Sequence, residues 1–412
     1  MIPRHVQDYQ VLVYHPLEGG HHPNFARLVA TAFMSLGVQV QLATTEKAEG
    51  SPELSGVRVD GRPIRFLRLP RRRRSGSFSR LHEQANELRE LARIRKWNRI
   101  VLPSGDGLLQ MVTLLTKLGF PVLPSGLAVE ALALRGGIAY PSPPALRWRR
   151  RVSWFLAERA PASVRHHLDP VFIEWLSRRP SRGPRWQLMP DPIEPASPLD
   201  KQSARAHFGL PADDLVVGSV GILDERKGIH LLVEAFGRAA LPRDTHLLLV
   251  GTCSQGVKQR ISRLVAQPRF AGRVHLDDRW VTDHEMMTAL AAMDLATAVY
   301  PAHVGSASIV LRAMAAGRPV LGSPTPWIVR HISSYDAGWV ADAGDREAFP
   351  VELARAVQAA RDWAPSPRVH DLLAFDSPEN FMAHWTRSTE MELGCASPFA
   401  WRDPPAGSDD VP

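Results

Sequence analysis

The chain has 412 residues, 44% of them hydrophobic and 22% charged, with a formal net charge of +8. This length exceeds one compact core and suits two domains of ordinary size, and the composition excludes an intrinsically disordered chain. No apolar run reaches the roughly 20 residues of a membrane span, residues 1–10 lack a signal-peptide core, and Cys253 and Cys395 lie too far apart for metal-ligand spacing. A reducing cytoplasm is therefore the expected location, and Cys253, after an apolar run, reads as a small loop or core residue rather than a nucleophile.

Residues 11–14 form a short apolar strand, followed by a turn containing Gly19-Gly20 and a helical pattern at Phe25, Leu28, Val29, Ala32 and Phe33. Gly37 stops that helix, and residues 38–42 read as the second strand, completing a βαβ unit. Residues 81–95 are an amphipathic helix leading into a strand at 99–102, capped by Pro-Ser-Gly-Asp; residues 108–118 are again helical, and 121–123 open another strand. Between about 141 and 198 prolines and arginines break the pattern, although Trp154, Phe172 and Trp175 predict short packed helices.

A linker begins at Met189, and the alternation then restarts. Strands are predicted at 215–220, 246–250, 274–276, 295–299 and 319–322, with helices at 201–208, 229–236, 257–264, 284–292 and 307–315. Two βα-alternating halves predict an α/β fold of two doubly wound Rossmann-like domains, their parallel sheets facing an interdomain cleft. The expected division is 1–188, 189–376 and 377–412, the last being a helix crossing back to the first domain plus a tail.

The arginine excess is concentrated at Arg71–Arg74 and at Arg147 with Arg149, Arg150 and Arg151. The second run is interleaved with Trp148, Trp154 and Phe155, so it reads either as a solvated face or as a helix lying on an anionic membrane surface. No recognition motif accompanies the charge, so nucleic acid is not an expected partner.

Open parallel sheets bind ligands beyond the carboxyl ends of their strands, which singles out four loops. Residues 221–228, Gly-Ile-Leu-Asp-Glu-Arg-Lys-Gly, place Arg226 and Lys227 just before a helix, where they would suit a diphosphate or stand as incidental surface cations. Gly305-Ser306-Ala307-Ser308 opens an apolar helix; its small residues would admit a phosphate, and Ser308 reads equally as an N-cap. His303 precedes it as a candidate contact. Gly19, Gly20 and His21 permit a sharp turn near a substrate, or merely a tight turn, and adjacent His21 and His22 without a third ligand do not make a metal site. Asp106, at a strand's carboxyl end, is either a group for sugar hydroxyls or a helix N-cap.

These residues resemble family 4 of the retaining glycosyltransferases (glycosyl transferases group 1), which have the GT-B fold. The resemblance is strongest over residues 215–342 and rests on an ordered set. Residues 220–228 with the following helix are similar to the family's donor-diphosphate loop; Leu-Leu-Leu-Val-Gly at 247–251 and Met-Asp-Leu-Ala-Thr-Ala-Val-Tyr-Pro at 293–301 resemble its next strands. Ala-Met-Ala-Ala-Gly-Arg-Pro-Val at 313–320 is the most specific match, and residues 11–40 look like the family's N-terminal unit. The resemblance implies a nucleotide-sugar donor bound by Gly221, Arg226, Lys227, Gly228, His303, Gly305, Ser306, Ala307, Ser308 and Arg312. It also implies retaining transfer without metal or further cofactor, with Lys227 and an acceptor-side Asp106 in catalytic roles and Gly19, Gly20 and His21 on the acceptor side. The acceptor would be a glycan or lipid-linked group, and an inactive binding scaffold is the alternative. The family's paired donor-site glutamates fall on Val304 and Arg312, its diphosphate arginine on Ile222, and a further glutamate near Trp327.

Overall fold

The structure is a computed structural model that describes residues 4–18, 22–70, 76–179, 186–194 and 199–405. The chain divides into two compact units, Met1–Pro192 with Pro378–Arg402, and Ile193–Ser377 with Asp403–Pro412.

In the first unit the strands are β1 (Gln10–Tyr14), β2 (Gln39–Thr45), the short antiparallel pair β3 (Arg58–Val59) and β4 (Arg62–Pro63), β5 (Arg65–Leu69), β6 (Arg99–Leu102), β7 (Ala128–Ala133), β8 (Val164–His167) and β9 (Trp186–Leu188). Seven of them form one parallel sheet in the order β5-β2-β1-β6-β7-β8-β9. Successive side chains of β1 point to opposite faces. Val11 and Val13 join a core with Phe25, Phe33, Phe381 and Trp385, while Leu12 and Tyr14 join one with Leu88 and Val112. Both faces are buried, so β1 reads as a continuous apolar run.

The helix Pro378–Leu393 belongs to this first unit and packs on the helix His22–Ser35, with the Phe25 and Phe381 rings 5.3 Å apart. A buried polar knot ties it to the sheet. Arg99 donates to Glu130, to Ser388 Oγ (3.0 Å), to Glu392 Oε2 (2.7 Å) and to Tyr9 Oη (3.3 Å). Ser388 also donates to Glu130, and His166 Nε2 lies 3.5 Å from Glu130 Oε2.

Two expectations fail in this unit. Residues 121–123 are not a strand; the strand is β7, which starts only at Ala128 and carries the buried Glu130. The stretch from 141 is also more regular than its composition suggests, holding the helices Pro144–Glu158 and Pro170–Ser177 and the strands β8 and β9. Strand β8 escapes sequence reading because its buried residues are Arg165, His166 and His167. The packed aromatics are as expected, with Trp154 5.6 Å from both Phe172 and Trp175.

The second unit is a six-stranded parallel sheet of β10 (Leu215–Val220), β11 (Thr245–Val250), β12 (Val274–Asp277), β13 (Leu295–Ala298), β14 (Val320–Gly322) and β15 (Gly338–Val340). Its order is β12-β11-β10-β13-β14-β15. The helix Ile229–Arg238 buries Leu232, Val233 and Phe236 against β10 and β11 residues in one core.

Candidate functional site

The strand orders locate the places where each unit can hold a ligand. In the second sheet the chain leaves β10 toward β11 and β12, then returns to β13 on the other side and runs outward to β14 and β15. The reversal lies between β10 and β13, and open parallel sheets bind ligands at such a point, beyond the carboxyl ends of the strands. The loops after these two strands are residues 221–228 and 299–307. The first sheet reverses between β1 and β6, which assigns the same place to the β1 connection and to residues 103–107. Three of the loops chosen from sequence, those holding Asp106, Lys227 and Gly305, follow the strands β6, β10 and β13 at these reversals. Gly19, Gly20 and His21 lie outside the described residues, as do Arg71–Arg74.

The loop after β10 is built by local rules. Gly221 adopts φ +102° and its N–H donates to Val250 O (2.9 Å), turning the chain off the sheet. Asp224 then caps a 3-10 turn at Glu225–Lys227, its carboxylate accepting from Lys227 N at 3.1 Å. Gly228 closes the turn in the left-handed conformation, φ +64°, and opens the helix Ile229–Arg238. A Cβ there would meet Val299 O at 2.5 Å and Pro301 Cδ at 3.2 Å. The two switch-point loops thus touch at Gly228, and only glycine fits both the conformation and the space. Gly228→Ala is expected to destabilise the unit by about 2–3 kcal/mol. Gly256→Ala, in a helix with open space around it, should be neutral or stabilising. Urea midpoints measure both, and equal midpoints for the two variants would contradict the contact.

This turn sends Lys227 inward. Its residue is 8% exposed, and Nζ donates to Val220 O at 2.8 Å, beneath Gly221, whose missing side chain leaves the room. Burial, with a smaller push from the Arg226 charge, lowers its pKa from 10.5 to about 8, against the pull of Asp224. Arg226 stays outside, 3.6 Å from Asp224 Oδ2, with its guanidinium 5.9 Å from the Tyr300 ring centre. Tyr300 is buried, and burial raises its phenol pKa.

The second loop brings His303 to the same place. Its ring lies 5.0 Å from Tyr300, and Nε2 is 3.0 Å from Ser306 O. Burial holds its pKa low, and the charges of Arg226 and Lys227 act in the same direction. Gly305, φ +86°, turns the chain into the helix Ser308–Ala315. Of the two readings of Ser308, the N-cap is not the one found. Ala307 holds that position without a side-chain cap, and Ser308 is the exposed first helical residue. The N-cap of this helix thus supplies no side-chain acceptor, and the loop before it meets the turn that carries the buried Lys227 at Gly228. That combination favours an anion.

Arg312 does not behave as an exposed helix residue. It is 8% exposed and its Nη2 lies 3.0 Å from Asp283 Oδ2 at the start of the helix Asp283–Ala292. Ile222 is half exposed, and Trp327 is buried with its ring stacked 3.6 Å from that of His331. Cys253 is 9% exposed, and burial raises its thiol pKa, as befits a packed residue.

In the first unit Asp106 is not an N-cap either. Gly107, φ +72°, occupies that position, and the Asp106 carboxylate accepts instead from Leu134 N (2.9 Å) and Arg135 N (3.2 Å) after β7. Burial raises its pKa while these two amides hold it down. It links two loops at the carboxyl edge of its sheet.

Sequence reasoning missed Asp224, Tyr300 and Asp283. Only Asp224 carried a local signal, an aspartate three residues before the capped Lys227. The other two act through contacts between elements.

Residues 214–359 match the family model described as Glycosyl transferases group 1. The chain is similar to the lipopolysaccharide core biosynthesis glycosyltransferase LpsE of Rhizobium meliloti (strain 1021), 32% identical over 157 residues that span 37% of this chain and 42% of that protein. Among solved structures it is similar to sucrose-phosphate synthase from Thermosynechococcus elongatus, with TM-score 0.70 and 20% identity, covering 94% of this chain and 99% of that one. It is also similar to Anabaena Alr3699/HepE in complex with UDP and glucose, with TM-score 0.63 and 15% identity over 94% and 99% of the two chains. The chain has the GT-B fold.

Proposed function

We propose that the protein is a glycosyltransferase that moves a hexose from a nucleotide-sugar to a glycan or lipid-linked acceptor, with retention and without a metal. The observation that carries this reading is the buried Lys227, turned in beneath Gly221, on a turn that meets the loop before the helix Ser308–Ala315 at Gly228. The family match over residues 214–359 and the UDP and glucose bound to HepE support it. In such a transfer the bond from the sugar C1 to the diphosphate oxygen breaks, and its electron pair leaves on the diphosphate. The acceptor hydroxyl oxygen bonds to C1 on the same face, and its proton passes to the departing diphosphate oxygen. Charge grows on the leaving group, so a cation fixed beforehand at its position lowers the barrier. Lys227 and the first-turn amides supply that charge, with Arg226 at the rim. Asp106 acts in the first unit as a positioning residue, holding the loop after β7.

Val304 and Arg312, where the family has glutamates, support a second reading: a binding protein that holds a nucleoside diphosphate without transfer. Arg312 is already paired with Asp283 and offers no carboxylate to a sugar or ribose. A panel of labelled nucleotide-sugars separates the two. The transferase releases nucleoside diphosphate from one donor, by transfer or slow hydrolysis; a chain that binds diphosphates yet turns over no donor is the binding protein.

A further inference from the structure

The helix Pro144–Glu158 has one face accounted for and one that is not. Toward the first unit, Trp154 packs 5.6 Å from Phe172, Ser153 Oγ accepts from Gln110 Nε2 (3.2 Å), and Arg150 Nη1 donates to Gly137 O (2.6 Å) and Tyr140 O (3.2 Å). A helix turns about 100° per residue, so the opposite side aligns Trp148, Val152 and Phe155 as one ridge. These are 63%, 49% and 47% exposed, far more than their hydrophobicity favours in water. Arg149 and Arg151 flank the ridge; both are exposed, and neither makes a hydrogen bond or ion pair among the described residues. The helix carries one acid, Glu158, at its end and 3.2 Å from Arg159, whose guanidinium lies 3.7 Å over the Phe155 ring.

We propose that this face docks on an anionic phospholipid surface, with the helix lying in the interfacial plane. Trp148, Val152 and Phe155 enter the acyl boundary, and the arginines on both flanks meet lipid phosphates. Charge complementarity selects this occupant: unpaired cations border the apolar ridge on each side, and no acid interrupts it between Pro144 and Ala157. No described helix is long and apolar enough to cross a membrane, so the contact is lateral. The inference rests on exposure and charge in the first unit and does not depend on the transfer reading.

Flotation of the full chain with vesicles of phosphatidylcholine, alone or mixed with phosphatidylglycerol, tests it. The wild type should float with the mixed vesicles and not with phosphatidylcholine alone. Arg149→Ser with Arg151→Ser, which leaves the structural Arg150 in place, should weaken partitioning roughly thirtyfold, and Trp148→Ser should also weaken it. A wild type that stays with the lipid-free fraction, floats equally on neutral vesicles, or is unaffected by the arginine changes overturns the proposal. So does a concentration-dependent dimer, lost in Trp148→Ser without any flotation, which would give the face to a second copy of the chain.

Discussion

Lys227→Met is expected to weaken nucleoside diphosphate binding on the order of a hundred- to a thousandfold while leaving the protein as stable as before, or more so. The loss in binding follows from removing a buried cation at the switch point. The stability result follows from linkage. Burial brings the folded pKa of Lys227 to about 8, below its ordinary value of 10.5. Below pH 8 the group is charged in both folded and unfolded chains, and the folded chain bears the full cost of the buried charge. As pH rises from about 8 to 10.5 the folded chain releases its proton first, and the cost disappears. Wild-type stability should therefore rise across that interval relative to Lys227→Met. At neutral pH the variant escapes a penalty of roughly 3 kcal/mol. It gives up the bond to Val220 O, whose loss costs about 1–3 kcal/mol. Denaturant titration beside a binding isotherm checks both halves. A variant that binds normally, or one that fails to fold, would contradict the assignment of Lys227 as a functional charge held at the expense of stability.

The second large effect concerns the C-terminal helix of the first unit. Arg99→Leu should destabilise that unit by about 3–5 kcal/mol, because it leaves the Glu130 carboxylate buried without its cation. Changing both Arg99 and Glu130 to leucine should recover most of the loss. The wild-type Glu130 pKa reflects burial, which raises it, against the stronger combined effect of His166, Arg99 and Ser388, which lower it. With a lowered folded pKa, its contribution is present above the ordinary carboxylate value of 4.5 and is lost as pH falls through the folded one. In Arg99→Leu burial acts with less opposition, so the carboxyl titrates at higher pH and acid removes the penalty. The gap between wild type and variant should shrink on acidification. A gap that widens, or a double variant no better than the single, would mean that the knot is not a paired charge.

How much of this was legible in the sequence depends on where each residue finds its partner. Strand β10 is apolar on both faces and flanked by turn residues, so its limits, residues 215–220, are read directly. The same holds for β6, predicted at 99–102 and found there. Strand β7 and strand β8 were hidden because Glu130, Arg165 and His166 read as surface residues. Glu130 is buried through Arg99 in another strand and Ser388 near the end of the chain. No window along the chain contains those partners.

The site shows the same division. The four loops were recognisable from glycines, small residues and cations placed after strands. That three of them follow strands at a reversal of the sheet depends on strand order, which local pattern does not encode. The inward turn of Lys227 was not legible, since it needs Asp224 to cap the turn and Gly221 to leave the space. For Ser308 and Asp106 a helix end was one of two local readings, and neither caps its helix. In both cases a neighbour, Ala307 or Gly107, holds the cap position. Arg312 turned out to be paired across elements with Asp283, a contact between two helices that no sequence spacing reveals.

The central claim is that a protonated Lys227 in the second unit meets a diphosphate. An anion beside that ammonium must raise its pKa above the unliganded value of about 8. Calorimetric titration of a nucleoside diphosphate at a pH slightly above that value, in two buffers of different ionisation enthalpy, reads this directly. The account predicts binding with net uptake of protons, lost in Lys227→Met. Binding with no proton uptake, or no binding of any nucleoside diphosphate, would contradict it.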